Sequence, residues 1–117
     1  MSASFEPFEL RYLHALSDEG VDLSTFLGNW RQAMNEDIER LIALHRQGDV
    51  GHLHGVLHRL SGAVGLVGAQ SLVEAFRRAS ASPLERDANS IDTLVKRARI
   101  LVMQVDIAVN AYRSTPR

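Results

Sequence analysis

The chain has 117 residues, 45% of them hydrophobic, which is a single-domain length with enough apolar side chains for one core. Its net charge is −1, with both signs mixed along the chain, so the basic excess of a nucleic-acid module or a membrane-surface binder is absent. With no cysteines, disulfides, thiolate metal sites and a cysteine nucleophile are excluded, and a reducing compartment is compatible.

No apolar run approaches the roughly 20 residues of a membrane span, and no signal peptide opens the chain. The only prolines are Pro7, Pro83 and Pro116, which leaves most of the chain free to be helical. Strand-like alternation and internal repeats are absent.

A short first helix is expected to start near Pro7 and end before Gly20, with Phe8, Tyr12, Leu13 and Leu16 lining one side. Asp22 or Ser24 can cap a long second helix whose apolar positions are Leu23, Leu27, Trp30, Met34, Ile38 and Leu41. Gly48 ends it, and Asp49 is a natural cap for the third. There Val50, Leu53, Leu57, Leu60, Val64 and Val67 recur at 3,4,3,4,3, a bundle seam broken by Gly68. A fourth helix is expected from about Ala69 to Ser80, with Leu72, Val73, Phe76 and Ala79 inward. Ser82-Pro83 marks a loop. The last helix runs from about Asn89 to Tyr112, burying Ile91, Leu94, Ala98, Leu101, Val105, Ala108 and Tyr112, and leaves 114–117 as a frayed tail. Short connections between long helices make neighbours antiparallel. The expected fold is all-α, an antiparallel up-and-down four-helix bundle with an additional short N-terminal helix.

The third helix carries the chemistry. His58 lies next to the seam residue Leu57 and turns toward solvent. Gly51, Gly55, His58, Gly62 and Gly65 are spaced 4,3,4,3 and form a second stripe centred on the histidine. A glycine inside a helix costs about 1 kcal/mol relative to alanine, so the stripe is expensive for a bundle alone. Two readings stand side by side. The missing side chains let another protein come close to His58, or they accommodate a neighbouring helix of this chain.

The five histidines are His14, His45, His52, His54 and His58. His54 and His58 are four apart and could share a metal ion, but no third ligand is evident, so no resident metal is assigned. His14, His45 and His52 read as ordinary surface histidines. No nucleophile elbow or triad can be placed, and no glycine-rich phosphate loop is present.

The run His58-Arg59-Leu60-Ser61-Gly62-Ala63-Val64-Gly65-Leu66-Val67-Gly68-Ala69 resembles the motif of histidine phosphotransfer (Hpt) domains. That motif is His-x-Leu-Lys-Gly, then small residues, an aliphatic residue and Gly-Ala. The short N-terminal helix and the long helix with Trp30 are similar too. The resemblance makes residues 1–117 one domain with a core of about 5–113. It implies a phosphocarrier. The His58 imidazole would take a phosphoryl group from a receiver-domain aspartate and pass it to another receiver aspartate. The receiver would supply Mg²⁺, and this chain would hold no cofactor of its own. ATP-dependent kinase activity is not expected. The partners implied are response-regulator receivers, including the receiver of a hybrid sensor kinase of which this would be the C-terminal domain. The setting would be cytoplasmic, with no nucleic-acid or membrane contact by this domain, whether free or within a membrane-anchored kinase.

Ser61 stands where the family usually carries a lysine that helps hold the phosphoryl group. A reading as a receiver-binding module without phosphotransfer therefore stays open. With two negative charges arriving on His58, another cation should help. Counting outward from the turn at Val67 and Gly68 puts Arg77 at the height of His58, while Arg59 points about 100° round its helix. Ser61 and Ser80 could donate hydrogen bonds. The expected site is His58 as nucleophile, with His54, Arg59, Ser61, Gly62, Gly65 and Arg77 around it for binding.

Overall fold

A computed structural model describes residues 5–81 and 88–114 of the chain, and among these residues every regular element is a helix. The helices are α1 (Leu10–Asp18), α2 (Leu23–Gln47), α3 (Val50–Gly65), α4 (Gln70–Ala81) and α5 (Ala88–Ser114). Helix α2 packs on α3 and α5, α4 packs on the same two, and α1 leans on α2. The expected all-helical class is therefore borne out.

Local chemistry sets the helix ends. Asp22 caps α2, its Oδ1 accepting from the backbone N–H of Thr25 at 3.3 Å. Asp49 caps α3 in the same way, accepting from His52 N–H at 3.2 Å. At the other end of α2, Gly48 adopts φ 69°, and the N–H groups of Gly48 and Asp49 return to the carbonyls of His45 and Leu44. This is the closure that favours glycine past a helix end. The same pair of bonds follows α3, from Gly68 to Gly65 and from Ala69 to Val64, with Gly68 at φ 75°. A β-carbon at Gly68 would lie 2.5 Å from the Tyr12 ring, so both backbone and space demand glycine there.

The core follows the seams. Leu27, Trp30, Met34, Ile38 and Leu41 of α2 meet Leu53, Leu57, Leu60 and Val64 of α3. Leu72, Val73 and Phe76 of α4 and Ile91, Leu94, Ala98, Leu101 and Val105 of α5 complete it. Each large side chain buried this way contributes about 1.5–3 kcal/mol.

Several expectations are corrected. The first helix begins at Leu10, not near Pro7, with Glu9 as its cap, because residues 5–9 form no helix and the Glu9 backbone is extended. Tyr12 is exposed rather than inward, its ring covering Gly68. Val50 is 53% exposed although it lies on the seam, because it opens α3 beyond the reach of the core. Ala79 and Ala108 are only half-buried. Val56, Val102 and Val109 are buried without having been assigned inward. Ser114 belongs to α5. The Ser82-Pro83 loop, the Tyr112 side chain and residues 115–117 lie outside the described residues.

One polar cluster had no sequence signal. Glu6 is 6% exposed and receives Arg97 through two hydrogen bonds, Nε to Oε2 at 2.6 Å and Nη2 to Oε1 at 3.0 Å. Arg97 also donates to Ser71 Oγ, and Gln104 bonds both the N–H and the carbonyl of Glu6. This fork-to-fork pair, with its backbone groups satisfied, fastens the N-terminal segment to α5. The Glu9 N–H donates to the Val67 carbonyl at 3.0 Å, which sets the start of α1 against the α3–α4 turn.

Candidate functional site

His58 sits near the middle of α3 with its side chain exposed, while Leu57 and Leu60 beside it are fully buried. Its ring makes no hydrogen bond or ion pair among the described residues. The backbone under it is well anchored. Ser61 Oγ donates to the His58 carbonyl at 2.7 Å, and Trp30 Nε1–H donates to the Ala63 carbonyl at 2.9 Å. A rigid helix thus presents an unpartnered imidazole to solvent.

The glycine stripe is open. A β-carbon at Gly51, Gly55 or Gly62 would meet nothing within 4 Å among the described residues. These three glycines therefore do not make room for another of the described helices. Gly65 differs: it is half-buried, and a β-carbon there would touch Val73 Cγ2 at 3.6 Å, an ordinary contact with α4.

The surrounding side chains are already engaged to different degrees. His54 is exposed, with Nδ1 3.0 Å from the Ser80 carbonyl and 3.1 Å from Ser80 Oγ. Since a carbonyl only accepts, Nδ1 carries the hydrogen. Arg59 reaches back to α2, where its Nη2 donates to Asp37 Oδ1 at 2.6 Å. That hydrogen bond, then the carboxylate charge, raises the arginine pKa further above its ordinary value. Asp37 also meets Arg40 at 3.5 Å. Arg77 pairs loosely with Glu74 at 3.6 Å, both side chains being well exposed. Ser61 is buried and its hydroxyl is committed to the His58 carbonyl. The structure thus gathers His58, Gly55 and Gly62 in the open and joins His54 to Ser80. It shows no hydrogen bond or ion pair from Arg59 or Arg77 to His58.

At the start of α3 a second histidine is spoken for. His52 Nδ1 lies 2.8 Å from Asp49 Oδ2. Its hydrogen bond, then its backbone N–H, hold the Asp49 carboxyl below the usual range. No group of three or more His, Cys, Asp or Glu side chains suited to a metal ion occurs among the described residues. A groove of about 250 Å³ lies between α2 and α5, lined by Leu27, Trp30, Arg31, Val105, Asp106 and Val109 among others, with no residue of the histidine stripe in it. No described helix is long and apolar enough to cross a membrane.

No curated protein and no solved structure matches the chain significantly. The family model described as Hpt domain matches residues 25–113, which takes in α3 with its histidine stripe, α4 and nearly all of α2 and α5. By that match the chain belongs to the Hpt-domain family, whose chemistry is histidine phosphotransfer in two-component phosphorelays.

Proposed function

We propose that His58 is the phosphoryl carrier, accepting from a receiver-domain aspartate and donating to another. The observation that carries this reading is the exposed, unpartnered His58 ring, flanked by Gly55 and Gly62 with open space where side chains would be. A neutral imidazole nitrogen attacks the phosphorus of the acyl phosphate, the aspartate carboxylate leaves, and a phosphoramidate forms. The reverse attack by a second carboxylate returns the imidazole. The receiver brings Mg²⁺ and most of the charge stabilisation, and this chain brings a nucleophile held on a rigid helix.

Arg77 is the cation we assign to the arriving phosphoryl group in place of the family lysine. Gly65 faces Val73 and His54 faces Ser80, so α4 runs past α3 in the opposite sense. Val73, Arg77 and Ser80 share one face of α4 at 4,3 spacing. Interpolating between the two contacts brings Arg77 level with His58. Its exposed pair with Glu74 is a weak restraint that a dianion outcompetes. Arg59 stays with Asp37 and serves the packing of α2 on α3.

The same kind of pairing supports an antiparallel up-and-down four-helix bundle with α1 added. Trp30 meets Ala63 and Asp37 meets Arg59 between α2 and α3. Arg31 meets Asp106 and Glu39 meets Arg99 between α2 and α5. The partners we assign are receivers of response regulators and of a hybrid sensor kinase. The chain would act in the cytoplasm, either free or as the C-terminal domain of such a kinase.

A second reading is a receiver-binding module without phosphotransfer. It is favoured by Ser61, which replaces the family lysine and is turned into the helix. Incubation with a labelled phosphoreceiver separates the two. Label that moves to the chain in an acid-labile, alkali-stable form, and is lost in His58→Gln, supports the carrier. Tight binding with no label transfer supports the module. Undiminished labelling of His58→Gln would sink the assignment of His58.

A further inference from the structure

We propose that His54 and His58 form a two-imidazole site for a borderline-soft divalent cation of the Zn²⁺ class, whose binding masks the His58 lone pair. The consequence for phosphotransfer rests on the carrier reading; the site itself does not.

Two histidines four apart on a helix stand one above the other on one face, close enough to share an ion. Both side chains are exposed. No side chain stands at Gly51 or Gly55 before and beside His54, nor at Gly62 one turn past His58, so nothing on that stripe crowds an ion and its waters. His54 is also prepared for a metal. Its Nδ1–H is held by the Ser80 carbonyl at 3.0 Å, which leaves the lone pair on Nε2, where its one recorded neighbour is the Ser80 hydroxyl at the long distance of 3.5 Å. A metal-binding histidine is oriented in just this way, by donating its other N–H to a carbonyl or carboxylate. The His58 ring has no competing partner among the described residues. By contrast, His52 is turned to Asp49.

The ion would exchange two water ligands for two imidazoles and keep water in its remaining positions, since no third protein ligand gathers among the described residues. Affinity is then modest and binding reversible, as suits an inhibitory ion rather than a resident cofactor. The nitrogen lone pair that coordinates the ion is the one that would attack phosphorus, so an occupied site cannot accept a phosphoryl group.

The test titrates the whole chain with ZnCl₂ in a non-chelating buffer by calorimetry. One ion is expected per chain, with affinity falling at least about tenfold in His54→Gln and in His58→Gln and unchanged in His52→Gln. Circular dichroism checks that each variant is folded. Equal affinity in all four proteins, or no binding by the wild type below millimolar Zn²⁺, overturns the site. Carbethoxylation by diethyl pyrocarbonate, read by mass spectrometry, tests the masking. Zn²⁺ should slow modification of His54 and His58 about tenfold, reversibly with EDTA, and leave His52 and His45 unchanged. Unprotected His58 overturns the masking. Neither readout uses a receiver, so failure of phosphotransfer leaves them intact, and their failure leaves the carrier reading standing.

Discussion

The indole N–H of Trp30 donates to the carbonyl of Ala63 at 2.9 Å, tying the first half of α2 to the last turn of α3. Ala63 is among the final residues of its helix, and its carbonyl accepts the indole N–H alongside the tight i+3 bond from the Leu66 N–H at 3.2 Å. Trp30→Phe keeps most of the packing and removes the bond. It should cost about 1 kcal/mol in a urea melt. Because the bond lies on the buried side of α3, phosphoryl acceptance per folded molecule should not change.

Gly62 and Gly68 should respond oppositely to the same substitution. Gly62→Ala should stabilise by about 1 kcal/mol, since a methyl group there meets only solvent and the helix propensity improves. Gly68→Ala should destabilise by more than that, because φ 75° is unfavourable to a side chain and the Tyr12 ring fills the space. A bulky Gly62→Gln should leave the melting temperature near wild type and weaken binding to a receiver. Equal loss of melting and binding would assign Gly62 to internal packing.

Replacing Arg77 by alanine removes only a loose surface pair, so stability should stay within about 0.5 kcal/mol of wild type. The rate of phosphoryl transfer to His58 should fall, and Arg77→Lys should recover part of it. Single-turnover labelling from a phosphoreceiver measures this. Unchanged transfer in Arg77→Ala would remove Arg77 from the site.

Asp49 links the stability of α3 to acid. Its folded-state pKa is lowered by His52, so its contribution is fully present above the ordinary carboxylate range near about 4 and is lost as pH falls through the lowered value. Asn caps a helix about as well as Asp but carries no charge. The stability advantage of wild type over Asp49→Asn should therefore shrink as pH falls below that range. Chemical denaturation at pH 2 to 7 follows the difference, and a pH-independent gap would contradict the linkage.

Helix caps and seams were legible because they depend on neighbours in sequence. Asp22, Gly48, Asp49 and Gly68 act within a few residues of themselves, and the seam of α3 from Leu53 to Val64 is a local periodicity. His58 stood out for the same reason, as the one long side chain on a stripe of glycines. The exposure of Tyr12 and Val50 was not legible, since it depends on where the bundle ends. The Glu6–Arg97 pair joins residues 91 positions apart, and nothing local marks a glutamate as buried. Ser61 read as a donor from its chemistry alone, whereas its hydroxyl turns back onto its own helix. The pairing of His54 with Ser80 needed the packing of α4 on α3 to be seen.

The clamp at Glu6 bears on what counts as the domain. The family match opens at residue 25, inside α2. A protein trimmed to that boundary would keep every residue assigned to phosphoryl chemistry. It would lose the only carboxylate that Arg97 meets among the described residues, leaving a guanidinium whose side chain is 27% exposed. The Gly68 turn would lose the Tyr12 ring that covers it and the Glu9 N–H that meets Val67. Glu6, Glu9 and Tyr12 thus lie outside the matched stretch and still brace α5 and the turn that follows the histidine helix.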